Sequence, residues 1–112
     1  MIKKNKKISI IILNYNGKKL LKKFLPSVLK YSDPELSCIY VVDNNSKDGS
    51  VEYINDRFHS VKTISHKKNY GYAGGYNKCI GNINSDYYVC LNNDIEVTEH
   101  WLKPLFDALA ST

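Results

Sequence analysis

Four short apolar segments alternate with stretches whose apolar residues recur at helical spacing, and this alternation leaves few folds open to the chain. The first segment, residues 8–13, is almost entirely isoleucine and leucine. Strands covered on both faces have such continuous apolarity, whereas strands with one wet face alternate. Further segments occupy residues 38–42, 61–64 and 87–91. We therefore predict an α/β fold with a parallel sheet, right-handed crossovers and helices on both faces.

The stretches between these segments have helical periodicity. Across residues 18–31 apolar side chains recur three and four positions apart while lysines fill the other positions, which indicates an amphipathic helix. Pro26 lies inside it, and because proline lacks an amide hydrogen and clashes with the preceding turn, we expect the helix to kink or restart there. The glycine- and tyrosine-rich residues 69–77 are predicted as a loop that leads into a helix through Cys79 and Ile80.

Length and composition indicate one soluble globular domain. The 112 residues, 43% apolar and 24% charged, suffice for a buried core, so we treat residues 1–112 as a single domain. The apolar run 8–13 is too short to span a bilayer. The cysteines stand singly, without metal-binding spacing, and are typical of small buried thiols in a reducing compartment: Cys38, Cys79 and Cys90. We therefore expect a cytoplasmic location, with peripheral contact to the membrane in a full-length protein.

The net charge of +5 comes largely from lysines at positions 3, 4, 6, 7, 18, 19, 22, 23, 67 and 68. A frayed start and a solvated helix face account for most of these lysines. Since no base-reading module accompanies the charge, we expect no nucleic-acid partner. A ligand that carries phosphate would use the same positive field.

Polar residues follow three of the predicted strands. If strands two and three lie on one side of strand one and strand four on the other, the sheet is Rossmann-like and its order reverses between strands one and four. Open α/β sheets bind ligands in the crevice at such a reversal, beyond the carboxyl ends of the strands. The polar residues that would meet there are Asn14, Tyr15, Asp43, Asn44, Asn92 and Asp94.

Asp94 closes an oxygen-rich turn, LNND, at the end of the fourth segment. A carboxylate at this position can hold a hard divalent cation, because such ions prefer oxygen ligands and often keep waters and substrate phosphates as further ligands. Asn and Asp also form ordinary turns, since they bond to their own backbone and tolerate left-handed conformations. From these residues alone both interpretations stay open.

Four motifs occur in a specific order: ILNYNG at 12–17, VVDNNSKDGS at 41–50, NYGYAGGYN at 69–77 and LNND at 91–94. With them the chain resembles the amino-terminal, nucleotide-binding half of a family-two glycosyltransferase with the GT-A fold. The resemblance extends from Ile8 to about Leu109, and the last two motifs are most similar to rhamnosyltransferase-like members, which often build cell-surface polysaccharides. It implies a truncated GT-A fold and a donor that is a nucleotide-diphosphate sugar, either a UDP- or a dTDP-sugar.

The resemblance also implies roles for single residues. The loops after strands one and two would hold the base and ribose, the glycine-rich segment would lie near the diphosphate and donor sugar, and the DxD motif falls on 92–94, with asparagine as its first residue. The implied nucleotide-sugar-binding residues are Leu13, Asn14, Tyr15, Asp43, Asn44, Gly71, Gly75, Asn77 and Asn92, and the implied ligand of a divalent metal, Mg or Mn, is Asp94.

Some of these roles have alternatives. Tyr15 is equally well explained as a core aromatic at a strand end, and Gly74 and Gly75 as glycines that permit tight packing. Where many relatives carry an arginine, this chain has Tyr76, which leaves one phosphate contact open.

The implied reaction is an inverting transfer of the sugar to a hydroxyl of a glycan or lipid-linked acceptor, with the metal as Lewis acid. In relatives the general base lies well downstream of the DxD motif, so we expect the catalytic residue outside this chain and no complete transfer by these 112 residues. Two other classes stay open: a non-catalytic nucleotide-binding module and a flavodoxin-like interaction domain. The unpaired edge of the fourth strand further predicts association with a second copy of the chain.

Overall fold

The computed structural model describes residues 8–111. The lysines at positions 3, 4, 6 and 7, and with them the expected frayed start, lie outside the described residues. Strands and helices alternate in the order β1 (Ile8–Asn14), α1 (Lys18–Tyr31), β2 (Ser37–Asp43), α2 (Ser50–Arg57), β3 (Lys62–Ser65), α3 (Gly71–Ile80), β4 (Tyr87–Asn92) and α4 (Leu102–Ala110).

The four strands form one parallel sheet in the order β3-β2-β1-β4. Ile8 of β1 lies opposite Ser37 of β2 and Tyr87 of β4. The predicted order is confirmed: strands two and three lie on one side of β1 and strand four on the other. In a flavodoxin-like sheet strand three pairs with strand one, so the flavodoxin-like alternative is wrong. The fold is α/β and Rossmann-like.

Side chains of β1 alternate between two apolar layers. Ile10 and Ile12 pack with α1, α2 and α4 on one face of the sheet, where the buried helix residues are Leu21, Leu25, Val28, Ile54 and Leu102. Ile11 packs on the other face against Tyr76 and Cys79 of α3. Each fully buried aliphatic side chain contributes roughly 1.5–3 kcal/mol relative to exposure. Helices therefore cover both faces, as predicted, and the loops after the strands meet at one edge.

Two helix predictions need correction. α1 passes through Pro26 without a restart, and Leu21, Leu25 and Val28 on both sides of the proline are buried. The other expectation, a kink at Pro26, stays a prediction. α3 begins at Gly71, so residues predicted as a loop form its first turns. Glycine disfavours helix in isolation, but burial of an apolar face supplies most of the stability of a helix in a protein.

β4 is less covered than β1. Within residues 8–111 it has β1 on one side and no strand on the other.

Cys90 is exposed and Cys38 is half-buried, so the expectation of buried thiols is correct only for Cys79. The Tyr88 hydroxyl donates to the Ile83 carbonyl. Among residues 8–111, no helix is both long enough and apolar enough to cross a membrane.

Candidate functional site

A crevice of about 410 Å³ opens at the carboxyl ends of β1, β2 and β4. Six of the ten predicted site residues line it: Leu13, Tyr15, Asn44, Gly71, Asn92 and Asp94. The other lining residues are Leu20, Asn69, Tyr72 and Asn93. Loops far apart in sequence thus meet where the strand order reverses, which is the position expected for a ligand.

Two predicted site residues, Asn14 and Asp43, lie beneath the crevice. Their exposed fractions are 1% and 2%. The Asp43 carboxylate accepts hydrogen bonds from Asn14 Nδ2 at 2.9 Å and from the Ser46 amide and hydroxyl, both at 2.7 Å. Three donors satisfy the buried charge, which would otherwise be costly. Neither side chain lines the crevice, and their contact with a nucleotide base stays a prediction.

Asn93 connects these buried groups to the loop after β4. Its Nδ2 donates to Asn14 Oδ1 at 3.0 Å. Because a carboxylate only accepts, Asn14 must present its nitrogen to Asp43 and therefore its oxygen to Asn93. We call Asn14, Asp43, Ser46 and Asn93 the amide relay. The relay ties together the ends of β1 and β2 and the turn after β4.

Gly17 and Asn93 belong to this arrangement but were not predicted as site residues. A Cβ atom on Gly17 would overlap both Asn14 Oδ1 and Asn93 Nδ2. Asn93 is 79 positions from its partner, so nothing local in the sequence indicates the contact. The glycine directly after the ILNYN stretch is the one sequence feature that could have indicated a close contact here, since glycine is used where a side chain is not tolerated.

The start of α3 is held against β1 and β2. Asn44 Nδ2 donates to the Gly71 carbonyl at 3.0 Å. A Cβ atom on Gly75 would overlap Leu13 Cδ1 and lie 2.8 Å from Asn44 Nδ2. The tight-packing interpretation of Gly75 therefore has direct support. Asn77 is exposed on α3 and does not line the crevice.

The tyrosines near the crevice differ in burial. Tyr15 is 50% exposed and Tyr72 is 64% exposed, and both line the crevice, so the interpretation of Tyr15 as a core aromatic is wrong. Tyr76 is 5% exposed and its hydroxyl donates to the Leu91 carbonyl at 3.2 Å. Burial raises the pKa of Tyr76 far above its usual range, so it stays neutral. Tyr76 therefore points into the core and does not line the crevice, so its side chain is not placed to make the phosphate contact left open above.

Asp94 is exposed and is the one carboxylate, among the residues 8–111 that the structure describes, that lines the crevice. Among residues 8–111 no three His, Cys, Asp or Glu side chains lie close enough to hold a metal ion by themselves. A lone carboxylate beside the amide of Asn93 offers hard oxygen atoms but little charge. That donor set fits a Mg²⁺-like or Mn²⁺-like ion that takes its remaining ligands from water and substrate phosphates.

Several solved structures share this fold. The crystal structure of TarS from S. aureus superposes with a TM-score of 0.77 at 24% identity, over 93% of this chain and 19% of that protein. A TarS fragment in complex with UDP-GlcNAc gives a TM-score of 0.75 at 23% identity, over 93% and 30%. The mannosyltransferase PcManGT from Pyrobaculum calidifontis, in complex with GDP-Man and Mn²⁺, gives 0.75 at 18% identity, over 92% and 31%.

These identities establish similarity of fold, and the chain spans less than a third of each of these proteins. No curated protein matches the sequence at a significant level. The family model described as Glycosyl transferase family 2 matches residues 9–112, nearly the whole chain. The chain therefore belongs to glycosyl transferase family 2.

Proposed function

We propose that this chain is the nucleotide-sugar-binding half of an inverting, metal-dependent glycosyltransferase. The observation that carries the proposal is the single crevice that joins Tyr15, Asn44 and Asp94 from the ends of three different strands. Neighbours of the same fold are in complex with UDP-GlcNAc, with UDP, and with GDP-Man and Mn²⁺. The family and these complexes support a donor that is a nucleoside diphosphate sugar.

The crevice residues supply distinct parts of the binding chemistry. The exposed ring of Tyr15 offers a flat apolar face for a base. The Asn44 side chain is 2% exposed and fixes the backbone at Gly71, so it shapes the wall of the crevice. Asp94, with water and the diphosphate, would hold the divalent cation. When bound, that ion would neutralise charge that develops on the departing diphosphate.

A proton acceptor for the sugar acceptor's hydroxyl is the part of the reaction that the crevice lacks. Within residues 8–111, the single carboxylate that lines it is Asp94, which is assigned to the cation. A general base must come within hydrogen-bond reach of the hydroxyl. We therefore assign the base, and the site for a glycan or lipid-linked acceptor, to a segment beyond these residues, and expect the 112 residues alone to bind donor without completing transfer.

The finer assignments also stay proposals: a UDP- or dTDP-sugar as donor, rhamnosyl transfer, a role in cell-surface polysaccharide synthesis, and a cytoplasmic location with peripheral membrane contact in a longer protein. The contacts of Gly71, Gly75 and Asn77 with the diphosphate or sugar belong to the same group. The neighbours' donors include GDP-Man, so the base is best determined by direct comparison of nucleotides.

Calorimetric titration of the chain with UDP, dTDP and GDP, each with and without Mn²⁺, tests the proposal. We expect at least one nucleotide to bind and Mn²⁺ to strengthen its binding. Asp94→Ala should lose most of the increase in nucleotide affinity that Mn²⁺ causes, because the variant removes the carboxylate that would bind the ion. Glu96→Ala, an exposed acid that does not line the crevice, is the matched control.

Absence of binding for all three nucleotides would contradict the proposal. The remaining alternative, a non-catalytic nucleotide-binding module, predicts the same binding but no sugar transfer when the missing segment and an acceptor are supplied. Transfer to acceptor by a longer chain that contains these residues would therefore separate the two.

Association of two copies through the β4 edge also stays a prediction. Within residues 8–111 no strand pairs with this edge of β4, and an edge strand is a template for pairing with another strand. Sedimentation velocity at high protein concentration measures it, and a single monomer species would remove the hypothesis.

A further inference from the structure

Two tyrosines one helical turn apart on α3 contact consecutive residues at the end of β4. The Tyr76 hydroxyl donates to the Leu91 carbonyl at 3.2 Å, and the Tyr72 hydroxyl donates to Asn92 Oδ1 at 2.9 Å. The two rings contact each other edge to face, with centroids 5.2 Å apart and planes at 77°. Since Tyr76 is buried and Tyr72 is exposed, the pair extends from the core to the crevice.

The ring contact limits the freedom of Tyr72. An exposed tyrosine on a helix surface ordinarily samples several rotamers. Here the edge-to-face contact with the buried Tyr76 ring favours one orientation, and such contacts contribute beyond the area that they bury. The Tyr72 hydroxyl is therefore held where it meets Asn92.

The hydrogen bond from Tyr72 decides which end of the Asn92 amide a ligand meets. Asn92 is exposed and lines the crevice. Its Oδ1 is engaged by Tyr72, while within residues 8–111 its Nδ2 has no protein partner. An amide nitrogen only donates hydrogen bonds. The end of the Asn92 amide that Tyr72 leaves unengaged is thus a donor, which suits a phosphate or ribose oxygen.

We propose that Tyr72 is a positioning residue, which holds Asn92 so that its Nδ2 donates to an oxygen of the bound nucleoside diphosphate. The cation is then left to Asp94, and Asn92 does not compete for it. This inference rests on the proposed function and deepens it, since it assigns a role in donor binding to a residue on α3. It also separates two contributions to affinity, one that depends on metal and one that does not.

A double-mutant cycle with Tyr72→Phe and Asn92→Ala tests the inference by calorimetry. The probe is whichever of UDP, dTDP and GDP binds the wild-type chain most tightly, with and without Mn²⁺. Tyr72→Phe removes one oxygen atom and keeps the ring, and we expect nucleotide affinity to fall about threefold to tenfold, as for loss of one oriented hydrogen bond. In the Asn92→Ala background the same change should have no further effect.

A second readout separates Tyr72 from the metal ligand. Tyr72→Phe should keep the Mn²⁺ enhancement that Asp94→Ala loses, because the Asn92 contact does not involve the cation. Tyr53→Phe on α2, which does not line the crevice, is the matched control and should leave affinity unchanged. Thermal unfolding of Tyr72→Phe should match that of the wild type, since the residue is exposed.

Unchanged affinity in Tyr72→Phe would overturn the inference while the proposed function stands. Equal weakening in both backgrounds would also overturn it, because Tyr72 would then contact the nucleotide independently of Asn92. If the wild-type chain binds none of the three nucleotides, the proposed function fails and this inference fails with it.

Discussion

β1, β2 and β4 each end on an Asn or Asp residue, which is buried in β1 and β2 and exposed in β4. Asn14 and Asp43 are almost fully buried in the amide relay. Asn92 and Asp94 are exposed at the crevice. The difference follows from position, because β1 and β2 have strands on both sides whereas β4 has one neighbour within residues 8–111. An Asn or Asp after a strand can therefore either hold loops together or meet a ligand.

The largest test of this comparison is Gly17→Ala. The added methyl group would overlap both ends of the bond between Asn14 and Asn93. Overpacking at a buried site costs about 1–3 kcal/mol, and the displaced relay would leave buried polar groups unpaired at a further cost of about 1–3 kcal/mol. We expect a loss of at least about 2 kcal/mol in the free energy of unfolding, measured by urea denaturation.

Gly81→Ala is the matched control for that change. Gly81 has helical dihedral angles and no atom lies within 4 Å of a Cβ placed there. Replacement at such a position stabilises a protein by about 0.4–1 kcal/mol, because it restricts the unfolded chain. Equal loss of stability in the two variants would show that the relay tolerates a side chain at Gly17, and would break the comparison.

Asp48→Ala tests a second connection between the loops that follow β1 and β2. Asp48 Oδ2 accepts from the Lys18 amide at 3.0 Å, and Oδ1 accepts from the Ser50 amide at 3.0 Å and from the Ser50 hydroxyl. One carboxylate thus caps the starts of α1 and α2. Loss of a capping side chain costs typically about 1 kcal/mol, which urea denaturation at neutral pH should detect.

The contribution of Asp48 should also depend on pH. Burial raises the pKa of Asp48, but the hydrogen bonds from Ser50 and the Lys18 amide outweigh it and hold the pKa below its ordinary value. A lowered pKa in the folded state means stabilisation that is fully present above the ordinary value of about 3.9, and lost as pH falls through the folded pKa. The difference between wild type and Asp48→Ala should therefore shrink in strong acid. A difference that grows on acidification would contradict this account.

The smallest effect on stability is expected for Asp94→Ala. The side chain is exposed and takes no part in the hydrogen bonds of the amide relay, so the free energy of unfolding should change by less than about 0.5 kcal/mol. The same variant should lose most of the metal enhancement of nucleotide binding. A stability loss as large as that of Gly17→Ala would mean that Asp94, just after β4, also stabilises the fold.

Sequence patterns predicted the strands, their order and six of the ten residues that line the crevice, because each depends on local periodicity and on general rules for parallel sheets. They failed where a contact joins distant positions. Nothing near Asn93 indicates that it bonds to Asn14, and nothing near Asp43 indicates that its carboxylate accepts a hydrogen bond from Asn14, 29 positions away. Such pairings depend on side-chain directions that only the folded chain defines.

The start of α3 was missed for a different reason. Three glycines in its first five residues contradict helix propensity. The helix forms there because Tyr76 and Cys79 are buried against the sheet and because Gly75 allows close approach to Leu13. Propensity was thus overridden by tertiary packing, which a single sequence does not display.

Cys90 on β4 is a thiol that a reagent in solution can label. It is exposed, whereas Cys79 is buried and Cys38 is half-buried. Partial burial raises the pKa of the Cys90 thiol, so it is protonated at neutral pH and its alkylation should accelerate as pH rises. The rate at which a maleimide reacts at Cys90 would therefore report, in real time, whether another polypeptide covers that margin of the sheet.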